Sequence, residues 1–200
     1  MKQLAALYLG VLALVVASFV GLVKIPGYQF LSITPRENEQ GDYPVEPWGD
    51  IRKGRDQYIG LGCIYCHSQQ IRPKGFGADI KRGWGDRRTV STDYLFDDPP
   101  LLGTMRTGPD LAAIGVRQPS ADWHYLHLYD PEITSPGSNM PKFPFLFDVT
   151  TDPLPSTTKI ELRKENGQTV WLVPKPPVQA LVSYLLNLDK TMVSWPKEEK

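Results

Sequence analysis

Cysteine is scarce in this chain: only two occur among 200 residues, and histidine occurs three times. A structural zinc site usually takes four ligands from two cysteine pairs, so the missing second pair argues against one. The chain also lacks an excess of either charge, because 22 Lys and Arg balance 22 Asp and Glu. Nucleic-acid-binding domains normally show a basic excess, so that class is disfavoured.

One long apolar run is present, at the N-terminus. Residues 4–23 contain no charged side chain and lie between Lys2 and Lys24. Twenty helical residues span roughly 30 Å, the hydrocarbon thickness of a bilayer. The following stretch, LVKIPGYQF, lacks the small-x-small pattern of a signal-peptide cleavage site. We therefore predict an uncleaved transmembrane anchor over residues 1–24.

Prolines and glycines, 19 and 17 in number, predict long irregular segments beyond the anchor. Four prolines fall within residues 25–49, which indicates an extended linker. A mainly α-helical soluble domain is predicted over residues 50–190. Its helices begin near Asp50, after Ser120 and at Pro177, and alternation around an Asn-Gly pair predicts a β-hairpin over residues 157–173.

Both cysteines lie in the sequence Cys63-Ile64-Tyr65-Cys66-His67. A redox pair of the thioredoxin type would need β-strand–helix alternation, which is lacking, and a plain disulfide would leave His67 unexplained. A covalent c-type haem uses all three residues. Two thiols two residues apart add to the two vinyl groups along one porphyrin edge, and the next residue supplies an axial imidazole. We therefore predict one haem c held by Cys63 and Cys66, with His67 as an iron ligand.

The sixth iron position has several candidates: Met105, Met140, His124, His127 or no side chain at all. Met140 lies in the Pro- and Gly-rich segment SPGSNMPKFP, which is suited to laying a thioether across a haem face. We favour Met140 and interpret the two histidines as packing residues beside the haem. A His/Met pair gives a high reduction potential, which suits an electron carrier.

The order CIYCH, TGPDL, a distant methionine and LVSYLLNL resembles that of a class I cytochrome c. The resemblance implies a first and last helix that cross, with Gly54 and Tyr58 meeting Tyr184 and Leu185. It also implies that the carbonyl of Pro109 accepts a hydrogen bond from His67, which fixes the imidazole as a ligand. The predicted fold class is thus one transmembrane helix plus a class I cytochrome c domain with an inserted hairpin.

A narrower resemblance rests on GRDQYIGLGCIYCHSQQIRP, RTGPDLAAIG, DWHYLHLYDP and SNMP, within residues 54–142. These blocks resemble the mono-haem subunit of cbb3-type cytochrome c oxidases. That resemblance implies a subunit, itself non-catalytic, that passes single electrons from another cytochrome c subunit to a haem–copper subunit reducing oxygen to water. Covalent haem attachment occurs outside the bacterial cytoplasm, so we expect an inner-membrane protein with its haem domain in the periplasm.

Three further residues are candidates for the haem site. Arg106 and Arg72 flank the haem motifs, and a guanidinium matches a propionate with two parallel hydrogen bonds. Trp123 is a candidate for a wall of the haem pocket. Two other functions stay open from the sequence: an anchored cytochrome c shuttle to a different partner, such as a nitric oxide reductase, and a gas sensor with an open iron position.

Overall fold

The computed structural model describes residues 2–38, 41–155 and 157–191. It divides into two compact units. The first comprises Met1–Val45 with Val90–Leu95, and the second comprises Glu46–Thr89 with Phe96–Lys200.

The first unit is built on one apolar helix, Lys2–Leu31, which is long enough to cross a membrane. It consists of α1 (Lys2–Phe19), a π-helical turn (Val20–Lys24) and α2 (Ile25–Leu31). The helix therefore continues seven residues past the predicted anchor, through Pro26. Proline removes one intrahelical hydrogen bond, and the π-helical turn beside it accommodates the defect.

The segment after the helix is not extended throughout, which differs from the prediction for residues 25–49. Strands β1 (Arg36–Asn38) and β2 (Gly41–Tyr43) pair in antiparallel fashion there. Together with α2, they give regular structure to much of the segment that the prolines had indicated as a linker.

The core of the second unit lies between α3 (Gly49–Gly60) and α7 (Pro176–Asn187). Gly54 permits their contact, because a Cβ there would lie 2.7 Å from the Cβ of Tyr184. The rings of Tyr58 and Tyr184 meet edge to face with centroids 5.6 Å apart. The apolar stripe predicted for α7 is buried, including Val178, Leu181, Val182 and Leu185.

Three short helices lie between α3 and α7 along the chain: α4 (Ile114–Arg117), α5 (Ala121–Tyr129) and α6 (Pro131–Thr134). The predicted cap of α5 is confirmed, since the Ser120 hydroxyl accepts a hydrogen bond from the backbone N–H of Trp123 at 3.3 Å. Helix α3 begins near Asp50 as predicted, at Gly49, with Trp48 in the cap position.

A three-stranded antiparallel sheet contains β3 (Phe147–Thr150), β4 (Ile160–Glu165) and β5 (Gln168–Pro174). Strands β4 and β5 turn at Asn166-Gly167, where both residues have positive φ. Strand β5 lies in the middle and pairs with β3 as well. The sequence had not indicated β3, because a four-residue strand carries too short an alternation.

Candidate haem site

The segment carrying the two cysteines leaves the end of α3 in a tight turn. Gly62 has φ +77°, a conformation that only glycine adopts without strain, and a 3₁₀ turn covers Cys63–Tyr65. The backbone N–H groups of Cys66 and His67 donate to the Cys63 carbonyl at 3.2 and 3.0 Å. This compact turn puts Cys63, Cys66 and His67 on the wall of one cavity.

A hydrogen bond at Nδ1 holds the His67 imidazole in place and leaves Nε2 available. Its Nδ1 lies 2.7 Å from the Pro109 carbonyl oxygen. A carbonyl can only accept, so Nδ1 carries the proton and Nε2 keeps its lone pair. Burial lowers the pKa of His67, which favours the neutral imidazole that metal ligation requires. The sequence-based expectation for this contact is met.

Gly108 makes the close approach of these two loops possible. Its N–H donates to the Cys66 carbonyl at 2.9 Å. A Cβ at Gly108 would lie 2.6 Å from the Nδ1 of His67, closer than side chains approach. Any larger residue before Pro109 would thus collide with the imidazole ring of His67.

The same cavity is lined by the segment that carries Met140 and by four residues of α5, which are Trp123, His124, His127 and Leu128. Trp123 stacks on the His127 ring with centroids 4.6 Å apart and planes 11° apart. The Nε2 of His124 bonds the Gln118 carbonyl at 2.9 Å, and the Nδ1 of His127 lies 2.6 Å from the Thr134 hydroxyl. Burial lowers the pKa of both histidines, that of His127 to about 4.

The structure thus brings together five predicted residues: Cys63, Cys66, His67, Pro109 and Met140. Trp123 lines the cavity too. Met105, the other methionine considered, is 54% exposed and does not line it. Met140 is therefore the methionine that shares a cavity with His67 among the residues that the structure describes; Met192, a poorer candidate near the chain end, lies outside them.

Arg72 and Arg106 lie elsewhere: both guanidinium groups bind the carboxylate of Asp79, which is fully buried. Arg72 reaches it at 3.0 Å, and its backbone N–H donates at 2.8 Å. Burial alone would raise the pKa of Asp79, but these bonds outweigh it and lower the pKa to about 2. Neither arginine lines the cavity, so their contact with propionates stays a prediction that the structure does not support.

Asp79 and Asp110 are structural residues that sequence reasoning missed. The buried Asp110 carboxylate accepts from the Ser68 hydroxyl at 2.5 Å and from the backbone N–H groups of Gln70 and Ala112 at 2.8 Å. Because Ser68 directly follows His67 and Asp110 directly follows Pro109, this carboxylate holds together the two loops that orient the imidazole. The only sequence signal was the position of Asp110 in TGPDL.

Arg117 is the arginine that does line the cavity, and sequence reasoning missed it as well. Its Nη2 donates to the Asp110 carbonyl, while its Nε is buried without a hydrogen-bond partner. Burial lowers its pKa from the ordinary value. A buried guanidinium with an unused donor on a cavity wall fits a carboxylate-bearing ligand. The available signal was a single arginine in the apolar stretch LAAIGVRQPS.

Burial bears on the possible uses of the cysteine pair, because it raises the pKa of the Cys63 thiol to about 11. Redox cysteines need a lowered pKa, so a thioredoxin-type exchange pair is disfavoured. Within the described ranges, no group of three or more His, Cys, Asp and Glu side chains could hold a metal ion by itself.

The cavity has a volume of about 470 Å³, within the usual range for cofactor sites. Its walls offer two thiols, an imidazole with a free Nε2, a thioether and a guanidinium, with apolar residues such as Leu111, Ile114 and Leu185 between them. This donor set fits a haem attached through its vinyl groups and ligated on its iron. The site is therefore of the kind found in c-type cytochromes.

Comparison with protein families makes the assignment narrower. Residues 2–170 match the family described as cytochrome c oxidase, mono-heme subunit/FixO. The chain belongs to this family, as the resemblance in its sequence had indicated. A search of curated proteins finds no match. Membership supports haem binding and electron transfer within an oxidase, and the apolar helix Lys2–Leu31 is consistent with a membrane-anchored subunit.

Proposed function

We propose that this chain is the electron-relay subunit of a cbb3-type terminal oxidase. It would pass electrons singly, from another cytochrome c subunit, to the catalytic haem–copper subunit that reduces oxygen to water. The observation that supports this most is the shared cavity of Cys63, Cys66, His67 and Met140 in a member of the mono-haem subunit family.

The chain would hold haem c covalently through Cys63 and Cys66, with His67 and Met140 as the axial ligands. Bound there, the haem supplies a one-electron Fe(III)/Fe(II) couple. The Pro109 carbonyl keeps the Nδ1 proton of His67 in place and so makes Nε2 a stronger ligand. The soft sulfur of Met140 would favour the reduced iron, and Arg117 would bind a propionate in place of Arg72 or Arg106.

This proposal includes the domain arrangement. Helix Lys2–Leu31 would anchor the chain in the bacterial inner membrane, and the second unit would be a class I cytochrome c domain in the periplasm, with the 157–173 hairpin inserted. The contact of α3 with α7 at Gly54 supports this fold, because it matches the helix crossing expected for that class.

The test is purification of the tagged protein from its native membrane under mild solubilisation. Haem type, copper content and oxygen uptake with reduced cytochrome c are then measured. We expect haem c, b-type haem and copper to co-purify with oxygen uptake. A haem c spectrum without copper or oxygen uptake would refute the oxidase assignment and favour the anchored shuttle. Absence of haem c would refute both.

A further inference from the structure

The loop that carries Met140 is fixed to α5 at both of its ends. At one end the His127 Nδ1 bonds the Thr134 hydroxyl at 2.6 Å. At the other, the backbone N–H of Phe143 donates to the Leu128 carbonyl at 2.9 Å. Residues 135–142 thus form a loop closed on two consecutive residues of α5. His127 and Met140 are held in the same part of the fold, and both line the cavity that contains His67.

The Thr134 hydroxyl has two neighbours within hydrogen-bond distance, the Nδ1 of His127 at 2.6 Å and the Pro131 carbonyl at 3.3 Å, and it has only one proton to donate. When that proton goes to the Pro131 carbonyl, the Nδ1 of His127 donates to the Thr134 oxygen and Nε2 keeps a lone pair. The hydrogen bond that the His127 ring makes in the described part of the chain involves Nδ1 and not Nε2.

In the tautomer with the proton on Nδ1, His127 repeats the arrangement of His67. In both rings Nδ1 then bonds an oxygen of the neighbouring chain, and Nε2 is the nitrogen able to bind a metal. Stacking on Trp123 also fixes the ring plane of His127. His124 is the contrasting case, because its Nε2 donates to the Gln118 carbonyl. Among the cavity histidines, only His67 and His127 offer Nε2.

We propose that His127 is a reserve axial ligand, which binds the iron through Nε2 when the Met140 thioether is absent. This inference rests on the proposed haem c site. It gives the domain a second six-coordinate state in which two imidazoles ligate the iron and small gases are kept out. The reduction potential of that state is lower, because imidazole replaces the soft sulfur that favours Fe(II).

The experiment uses the full chain, matured in its native membrane, with the Met140→Ala substitution. Electron paramagnetic resonance, near-infrared magnetic circular dichroism and carbon monoxide binding are measured. We expect the low-spin signature of two imidazole ligands and little carbon monoxide binding. The Met140→Ala/His127→Phe protein should be high-spin and bind carbon monoxide at most of its haem, with phenylalanine preserving the stacking on Trp123.

A matched control separates ligation from packing. Met140→Ala/His124→Phe retains the His127 imidazole and should stay low-spin. If it becomes high-spin to the same extent as Met140→Ala/His127→Phe, the loss of a packed histidine ring and not the loss of a ligand explains the change, and the proposal is refuted. A high-spin Met140→Ala protein with a full haem c content also refutes it. Loss of covalent haem from the unsubstituted protein would instead refute the proposed function.

Discussion

The most direct test of the site geometry is the Gly108→Ala substitution. The added methyl group would lie 2.6 Å from Nδ1 and 2.7 Å from Nε2 of His67. The backbone at Gly108 cannot easily withdraw, because its N–H is bonded to the Cys66 carbonyl at 2.9 Å. The imidazole must therefore move away from the Pro109 carbonyl, to which its Nδ1 is bonded at 2.7 Å.

Two costs add in this variant. Overpacking of a well-packed site costs about 1 to 3 kcal/mol. Loss of the His67–Pro109 hydrogen bond costs about 1 kcal/mol more. We expect the second unit to lose about 2 to 4 kcal/mol of stability, which for a protein of this size lowers the unfolding midpoint by roughly 4 to 16 °C.

The measurement combines thermal unfolding followed by circular dichroism with the haem spectrum and the reduction potential. Gly60→Ala, at the end of α3, is the control, since a Cβ there meets nothing within 4 Å. We expect that control to be unchanged or slightly stabilised. In Gly108→Ala the potential should fall and the low-spin spectrum should weaken, because the imidazole is displaced from its ligating position.

The predicted clash is refuted if the Gly108→Ala protein has the same haem spectrum, reduction potential and unfolding midpoint as the parent protein. That result would mean that the His67 ring has room to move without losing its ligand geometry. A lower unfolding midpoint with an unchanged reduction potential would refute only the effect on the haem ligand. It would show that Gly108 serves the packing of the two loops and not the position of the imidazole.

Three further predictions follow from contacts elsewhere in the second unit. Arg117→Gln should lower the reduction potential of the haem by tens of millivolts in voltammetry, because about 1 kcal/mol of lost charge stabilisation corresponds to roughly 40 mV for one electron. The control Arg163→Gln, at an exposed strand position, should leave the reduction potential unchanged. The pKa of Asp79 is lowered from 3.8 to about 2, so its carboxylate stabilises the fold above about pH 4 by about 2 kcal/mol, and this is lost as the pH falls towards 2. Asp79→Asn should remove that acid-side slope in urea unfolding, and an unchanged slope would contradict the assignment. Gly54→Ala should cost about 1 to 3 kcal/mol by separating α3 from α7, whereas Gly60→Ala should not; equal unfolding midpoints would refute the close contact.

Features that depend on neighbouring residues were predictable from the sequence. Cys63, Cys66 and His67 lie within one turn of the chain, so covalent haem attachment could be predicted without the rest of the fold. The Ser120 cap and the Asn166-Gly167 turn are also local and appear where expected. Helix ends were less predictable, since the N-terminal helix passes through Pro26.

The partners of the charged side chains were not predictable in the same way. Arg72, Arg106 and Arg117 are equally suited to a carboxylate by their chemistry. The buried Asp79 binds the guanidinium groups of the first two, and neither of these arginines lines the cavity. Arg117 reaches the cavity wall because the end of α4 lies there.

The sequence by itself indicated the family, and it predicted the haem attachment points and one axial ligand, because these depend on residue type and short spacing. Only the tertiary structure decided which arginine lines the cavity, that Met140 and not Met105 shares it with His67, and that His127 lines it as well. Those choices depend on contacts between segments tens of residues apart. Their outcome is set by which groups the fold buries together, a property that local spacing does not encode.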